Sequence, residues 1–309
     1  FQSFKFSPNG GFWLALAFCM VLLRLAGYTY RLYVLSDKQI NLRSSMHIVI
    51  LWEFASAITP GIVGGTAVAL GIISQEKNIN SGRSTAIVMA TSYLDVLFYV
   101  LCIPVLWAVS GISEHIPLRI GPFSHQAVFS YFLTTYFLFL FWVLIIHFGL
   151  FIKPKLIGNL TRKIFSTPVL RRFNSKAEQW SDELEIAANE LKNKKRSFWL
   201  KSFWHTSLAW FARFALVNFL ILAFGNGAEV LAIFTKQLIM WGALIIPVTP
   251  GASGLAEVLF AGFLSPYFET STQASTTSLI WRLVSFYPYI IAGTVVFPLW
   301  LRKKIKKSR

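Results

Sequence analysis

Cysteine, histidine and acidic side chains are all scarce in this chain of 309 residues, and each scarcity closes off a class of chemistry. The two cysteines, Cys19 and Cys102, each lie inside an apolar run. A lone thiol there behaves as a small apolar group, so neither a disulfide nor a metal site is expected. The five histidines are scattered without ligand spacing, and no cofactor is implied. No loop carries a paired-aspartate motif and no nucleotide-binding motif is present, so no catalytic residue is assigned. Charged residues make up 14% of the chain, against about a quarter in soluble domains. No cleavable signal is visible. The chain begins at Phe1 rather than Met, and a short preceding piece, one further helix, is expected.

What is abundant is apolar. Hydrophobic residues reach 55% with 29 Phe, and residues 128–152 run without one Asp, Glu, Lys or Arg. A spanning helix needs about 20 such residues, so the expected fold is an all-α polytopic membrane protein. Five segments can span fully: 11–35, 84–110, 128–152, 198–224 and 276–301. Four others, 46–59, 62–74, 230–249 and 252–265, pair around breaks. A piece the length of 46–59 or 252–265 reaches only about 21 Å of the roughly 30 Å hydrocarbon layer. They read as two broken, re-entrant hairpins, centred on Thr59-Pro60-Gly61 and Thr249-Pro250-Gly251.

The net charge of +16 is gathered in loops and the tail, as the positive-inside rule expects. The implied partner is anionic lipid headgroup rather than nucleic acid. Segment 153–201 holds twelve Lys and Arg against five acids, and the last nine residues hold six cations, so both are expected on the cytoplasmic side. Loops 36–45 and 75–83 are basic, whereas 225–229 and 266–275 carry no cation. The two hairpins should therefore enter from opposite faces, an inverted repeat of the transporter kind. The organisation follows: a first membrane half, 1–152, with its hairpin near 46–74; a basic linker, 153–197; a second half, 198–301, with its hairpin near 230–265; and a basic tail, 302–309. In the linker, Ala177, Trp180, Leu184, Ala187, Ala188 and Leu191 recur at three and four. They predict an amphipathic helix lying on the inner leaflet.

Proline removes a backbone donor, and a polar group freed in hydrocarbon costs several kcal/mol unless satisfied. Two breaks thus imply an enclosed polar cavity. Pro60, Gly61, Gly64 and Gly65 in the first hairpin, and Pro250, Gly251 and Gly254 in the second, are candidate substrate-binding positions. The glycines allow close backbone approach, and the half-helix amino termini would present N–H groups to an anion such as phosphate. Arg24, Glu53, Asp95, Arg213, Lys236, Glu257 and Arg282 are ionisable residues inside apolar segments, and all but Arg24 join the candidates. Glu53 and Glu257 flank the breaks and are natural partners for Arg282, Arg213 or Lys236. Arg24, Arg31 and Lys201 can instead reach an interface along their alkyl stems. Trp281, Tyr287, Tyr289 and Trp300 read as interface anchors, and Pro288 as a kink.

At these residues the chain resembles the flippase-like transmembrane domain of the lysylphosphatidylglycerol synthetase, or multiple peptide resistance factor, family. PVTPGASGLAE at 247–257 is similar to the family's Pro-Thr-Pro-Gly-Gly-x-Gly-x-x-Glu element. LIWRLVSFYPYIIAG at 279–293 resembles its Leu-x-Trp-Arg-Leu element, and TPGIVGG at 59–65 an earlier, weaker one. Ala252 and Ser253 depart from the pattern, Ala252 standing where the family often has a second glycine. The resemblance implies a bacterial-type inner-membrane protein that moves lipids between leaflets, in a stand-alone form without the aminoacyl-transferase domain. A phospholipid or lipid-linked compound would be the substrate, with a homo-oligomer or a separate biosynthetic enzyme as further partners. A membrane-embedded transferase acting on headgroups or lipid-linked sugars is the alternative, and a scaffold acting through the basic linker is a third reading.

Overall fold

The computed structural model describes residues 7–59, 61–120, 123–167, 174–226, 229–244 and 249–308. It is a helical bundle. In chain order the helices are α1 (Gly10–Leu35), α2 (Leu42–Ile58), α3 (Gly61–Ile73), α4 (Ser81–Ser110), α5 (His125–His147), α6 (Pro154–Phe165), α7 (Asn174–Lys192), α8 (Arg196–Phe224), α9 (Val230–Ala243), α10 (Leu255–Leu264), α11 (Ser271–Ser285) and α12 (Tyr287–Ser308). A π turn, Phe148–Ile152, prolongs α5. A two-stranded hairpin, β1 (Arg119–Ile120) and β2 (Phe123–Ser124), pairs Arg119 with Ser124 ahead of α5. Five stretches are long and apolar enough to cross a membrane: Gly10–Leu35, Ser81–Ser110, His125–Ile152, Arg196–Phe224 and Ser271–Arg302. These are the five spans expected from the sequence, on an all-α polytopic fold.

The bundle is built on α1 and α8, which run antiparallel: Trp13 stacks on Phe219, and Tyr30 on His205. Gly27 permits their close approach, since a Cβ there would lie 3.0 Å from the Ala209 Cβ and the His205 carbonyl. Small residues at such crossings let backbones meet where lipid offers no hydrophobic drive. Two cores flank this seam. One gathers Tyr99, Phe132, Phe214, Phe260 and Phe263, and the other Leu35, Ile48, Leu51, Ile73, Ile87 and Leu94.

Both short helix pairs are broken where proline and glycine predict. Thr59 leaves the helix at φ −104°, ψ 143°, and its hydroxyl donates to the Ala55 carbonyl at 2.6 Å. Then α3 folds back on α2. A Cβ on Gly65 would fall 1.9 Å from Ser56 Oγ, and one on Gly64 2.3 Å from Thr59 Oγ1, so these glycines serve the return of α3. In the second pair, residues 249–254 form a turn in which the Ala252 and Ser253 N–H groups donate to the Thr249 and Pro250 carbonyls. Gly251, Ala252 and Gly254 all take positive φ there.

The open ends of the pairs lie at opposite ends of the bundle. Beside α9 and α10, the Asn226 N–H donates to the Tyr267 carbonyl at 2.8 Å, next to the end of α8. Beside α2 and α3, Ser84 Oγ donates to the Leu70 carbonyl at 2.8 Å, at the end where Lys194 meets Asp37. The breaks themselves approach one another: a Cβ on Gly251 would stand 3.2 Å from the Ala57 carbonyl.

Two expectations need correction. The apolar stripe of α7 does not lie on lipid: Ala177, Leu184, Ala187, Ala188 and Leu191 are buried, and α7 packs on α4, α6 and the π turn. Gly82 explains the fit, because a Cβ there would fall 2.3 Å from the Leu184 nitrogen. Glu183 Oε2 also accepts the Gly82 N–H at 3.1 Å, satisfying a free donor at the start of α4. Pro288 does not kink a continuous helix either. The helix breaks at Phe286, between α11 and α12, and Pro288 occupies the first turn of α12, where its missing N–H costs nothing.

Candidate functional site

Between the two breaks lies a cavity with two lobes. The larger, ≈ 1010 Å³, is lined by Arg31, Glu53, Asp95, Trp142, Trp210 and Arg213 among others. The smaller, ≈ 220 Å³, is lined by Arg24, Glu53, Arg213, Gln237, Arg282 and Tyr289 among others. Glu53, Ser56, Arg213, Trp241, Leu244, Gly251 and Ala252 border both lobes, so the two broken pairs and α8 together supply the wall between them.

Four arginines surround this space, and three are balanced by carboxylates. Half-way along α1, Arg24 Nη2 donates to Glu53 Oε2 of α2 at 2.6 Å. One heptad on, Arg31 Nη1 donates to Asp95 Oδ1 of α4 at 2.5 Å. Trp210 Nε1 of α8 donates to the same Asp95 oxygen at 2.8 Å. Arg282 of α11 joins the second break to the bundle: its Nε donates to Glu257 Oε1 at 2.8 Å and its Nη2 to the Ala252 carbonyl at 3.1 Å. The guanidiniums also lie against aromatic faces, Arg24 5.1 Å from the Tyr289 ring centre and Arg31 4.6 Å from that of Tyr28. Such stacking adds about 1 kcal/mol or more when desolvated. Arg24 Nε remains buried without a hydrogen-bond partner among the described residues.

Arg213 is the fourth, and it differs. Among the described residues no carboxylate lies within 4.0 Å of it. Its guanidinium rests over the Trp210 ring at 5.0 Å. Trp210 therefore serves two charges at once, its N–H holding Asp95 and its face backing Arg213.

The candidate positions separate into groups. Glu53, Asp95, Arg213, Gly251 and Arg282 line the cavity, and Glu257 reaches it through Arg282. Gly61 opens α3, while Gly64 and Gly65 face α2. Pro250 lies in the exposed turn, and Pro60 lies outside the described residues. The structure does not bring Lys236 to the cavity: it sits over the Tyr267 ring at 5.1 Å, at the end where α9 begins. The half-helix terminus at α10 also departs from expectation. Glu257 Oε2 accepts the Gly254 N–H at 2.7 Å, so the protein's own carboxylate occupies the place foreseen for an anion.

Glu53 pairs with Arg24, not with Arg213, Arg282 or Lys236. Arg24 and Arg31, for which an interface position is the alternative reading of the sequence, are buried at 5% and 6% exposure, inside the bundle. A seven-residue spacing on one helical face, with Tyr28 between them, was the signal for a shared inward stripe. Tyr289, buried under Arg24, and Trp281, stacked on Phe260 and lining the smaller lobe, are cavity residues rather than interface anchors. Among the described residues no three His, Cys, Asp or Glu side chains converge as a metal site.

The family model described as the lysylphosphatidylglycerol synthase TM region matches residues 6–293. A curated relative, the UPF0104 membrane protein of Archaeoglobus fulgidus, is 28% identical over 293 residues, spanning 92% of this chain and 81% of its own length. No solved structure matches the chain.

Proposed function

The chain belongs to the lysylphosphatidylglycerol synthase TM-region family, and from that premise we propose that it is a translocase carrying a lipid with an anionic or modified headgroup between membrane leaflets. In this reading the two broken pairs are re-entrant hairpins of an inverted repeat. The linker and tail face the cytoplasm, and the headgroup crosses through the cavity while its acyl chains stay in the bilayer.

One observation carries the proposal. The larger lobe has charged residues on its inner wall and a hydrocarbon-like wall on α5, where Leu138, Phe141 and Trp142 line the cavity. The same three are 56%, 63% and 50% exposed. Facing α5 across the lobe are Thr66, Ala67 and Leu70 of α3. These two helices do not pack closely on each other, leaving a slot suited to an amphiphile with its polar end inward. A volume of ≈ 1010 Å³ falls at the upper end of ligand sites, about 300–1,000 Å³, enough for a headgroup and the start of its chains.

Reconstitution into vesicles with fluorescent lipid in both leaflets tests this. Exchange of the inner pool, read by quenching from outside, should be accelerated over protein-free vesicles. No acceleration across a broad headgroup panel refutes a translocase. A modified lipid appearing in detergent solution, where no leaflets exist, and its loss in Glu257→Gln would assign a membrane-embedded transferase instead.

A further inference from the structure

Resting on the lipid-carrying reading above, we propose that the larger lobe recognises a sugar, and that the ligand is a glycolipid whose neutral pyranose headgroup is held through its hydroxyls. Several polar groups in that lobe are left uncommitted by the fold. Glu53 and Asp95 each hold an arginine through one oxygen, Oε2 and Oδ1. Glu53 Oε1 and Asp95 Oδ2 accept no hydrogen bond among the described residues, and neither is sealed off from the cavity.

The hydroxyls divide in the same way. Helical Ser and Thr elsewhere in the bundle turn back onto a carbonyl four residues earlier, as Ser202, Thr206 and Thr235 do. Thr91 and Ser92, which line the lobe about one turn before Asp95, make no such bond, and the Tyr28 hydroxyl is also free among the described residues. With the Arg213 guanidinium, the lobe thus offers both donors and acceptors.

That mixture selects among headgroups. Both carboxylates are already neutralised by arginine, so what they retain is acceptor capacity rather than net negative charge. A hydroxyl suits it, whereas an ammonium would also meet the uncompensated charge of Arg213. A phosphate brings acceptors only and leaves Glu53 Oε1 and Asp95 Oδ2 without a donor. Each hydroxyl of a pyranose both donates and accepts, so one ring can serve carboxylate, hydroxyl and guanidinium together. A ligand that displaces water from such groups without replacing its hydrogen bonds loses affinity. Two aromatic faces complete the fit. Trp210 and Trp241 spend their rings on each other and on Phe98 and Phe139. Trp52 and Trp142 line the lobe with no ring partner among the described residues. The C–H face of a pyranose is apolar and slightly positive, and it packs on the negative face of an indole.

The full chain in amine-oxide micelles allows a test free of glycosidic detergent. Micelles have no leaflets, so failure here is separable from failure of lipid exchange in vesicles. Thermal unfolding would be followed by circular dichroism during titration with dioctanoyl lipids that share their chains: glucosyl and galactosyl diacylglycerol, phosphatidylglycerol and phosphatidylcholine. Methyl glucoside and methyl galactoside supply the free sugar. One of the glycolipids should raise the unfolding temperature at about tenfold lower concentration than either phospholipid, the worth of one or two hydrogen bonds. Ser92→Ala and Trp142→Leu should each weaken that glycolipid by about three- to tenfold and leave phosphatidylcholine unchanged. Glycolipids no better than the phospholipids on the unsubstituted chain overturn the proposal without recourse to any variant. So does a preference that both variants retain in full. An equal shift from a methyl glycoside overturns the lipid source and assigns a soluble sugar.

Discussion

Neutralising both members of the Arg24–Glu53 pair should destabilise the bundle by clearly less than the sum of the two single changes. The bond is 2.6 Å long, and the side chains are 6% and 25% exposed. Two unit charges about 4 Å apart attract by roughly 4 kcal/mol at an effective dielectric of about 20. Removing one partner of a fully buried pair costs about 3–5 kcal/mol, because the other charge is left stranded. Glu53 borders the cavity, where water shields part of its charge, so Glu53→Gln should cost about 2–3 kcal/mol. Arg24→Gln should cost about the same. The double variant strands no charge, so its loss should be smaller than the sum by about 2 kcal/mol. Denaturation from mixed micelles by increasing detergent fraction, followed by circular dichroism, supplies the three free energies of the cycle. Losses that add to within about 0.5 kcal/mol would mean that the two side chains are screened from one another, and the reasoning from burial would fail.

Gly82→Ala should unseat α7, since its Cβ would meet the Leu184 nitrogen at 2.3 Å. We expect a loss of about 1–3 kcal/mol and faster hydrogen exchange across 177–191, read by mass spectrometry. Ala252→Gly should stabilise the chain by about 0.5–1 kcal/mol, because Ala252 holds φ +55°, where an L side chain is strained; thermal unfolding checks the sign. Asp37→Asn removes a half-exposed bond to Lys194. It should cost under about 1 kcal/mol, and the difference from the unsubstituted chain should shrink in high salt.

The breaks were legible because proline and glycine act locally. Thr59-Pro60-Gly61 and Thr249-Pro250-Gly251 punctuate apolar runs; α2 stops at Ile58 and α3 starts at Gly61, whereas α9 already ends at Ala243, ahead of Thr249. Ala252 was legible in the same way: it stands where the resemblance expects glycine, and its backbone adopts the conformation that glycine favours. Charge partners were legible only in part: Arg282 meets Glu257 as expected. Glu53 could have met several cations, and its choice of Arg24 depends on how α1 crosses α2, which no local pattern encodes. Aromatic residues misled for a related reason. Trp281 and Tyr289 have the amphipathic character of interface anchors, and only the packing of α11 and α12 shows that they face a cavity. The α7 stripe was correctly periodic, but periodicity reports an apolar face without saying whether lipid or protein covers it.

The close contact of Gly27 with Ala209 constrains how the molecule can change shape. With helix backbones this near, and aromatic pairs locking both flanks, α1 and α8 act as an axle shared by the two halves of the chain. Large sliding along that line would drive Ala209 into the backbone of its neighbour. Shape change is thus left to the short helices, whose turns at 59 and 249–254 have few regular hydrogen bonds to break, so the moving parts would be the plugs and the long helices their frame.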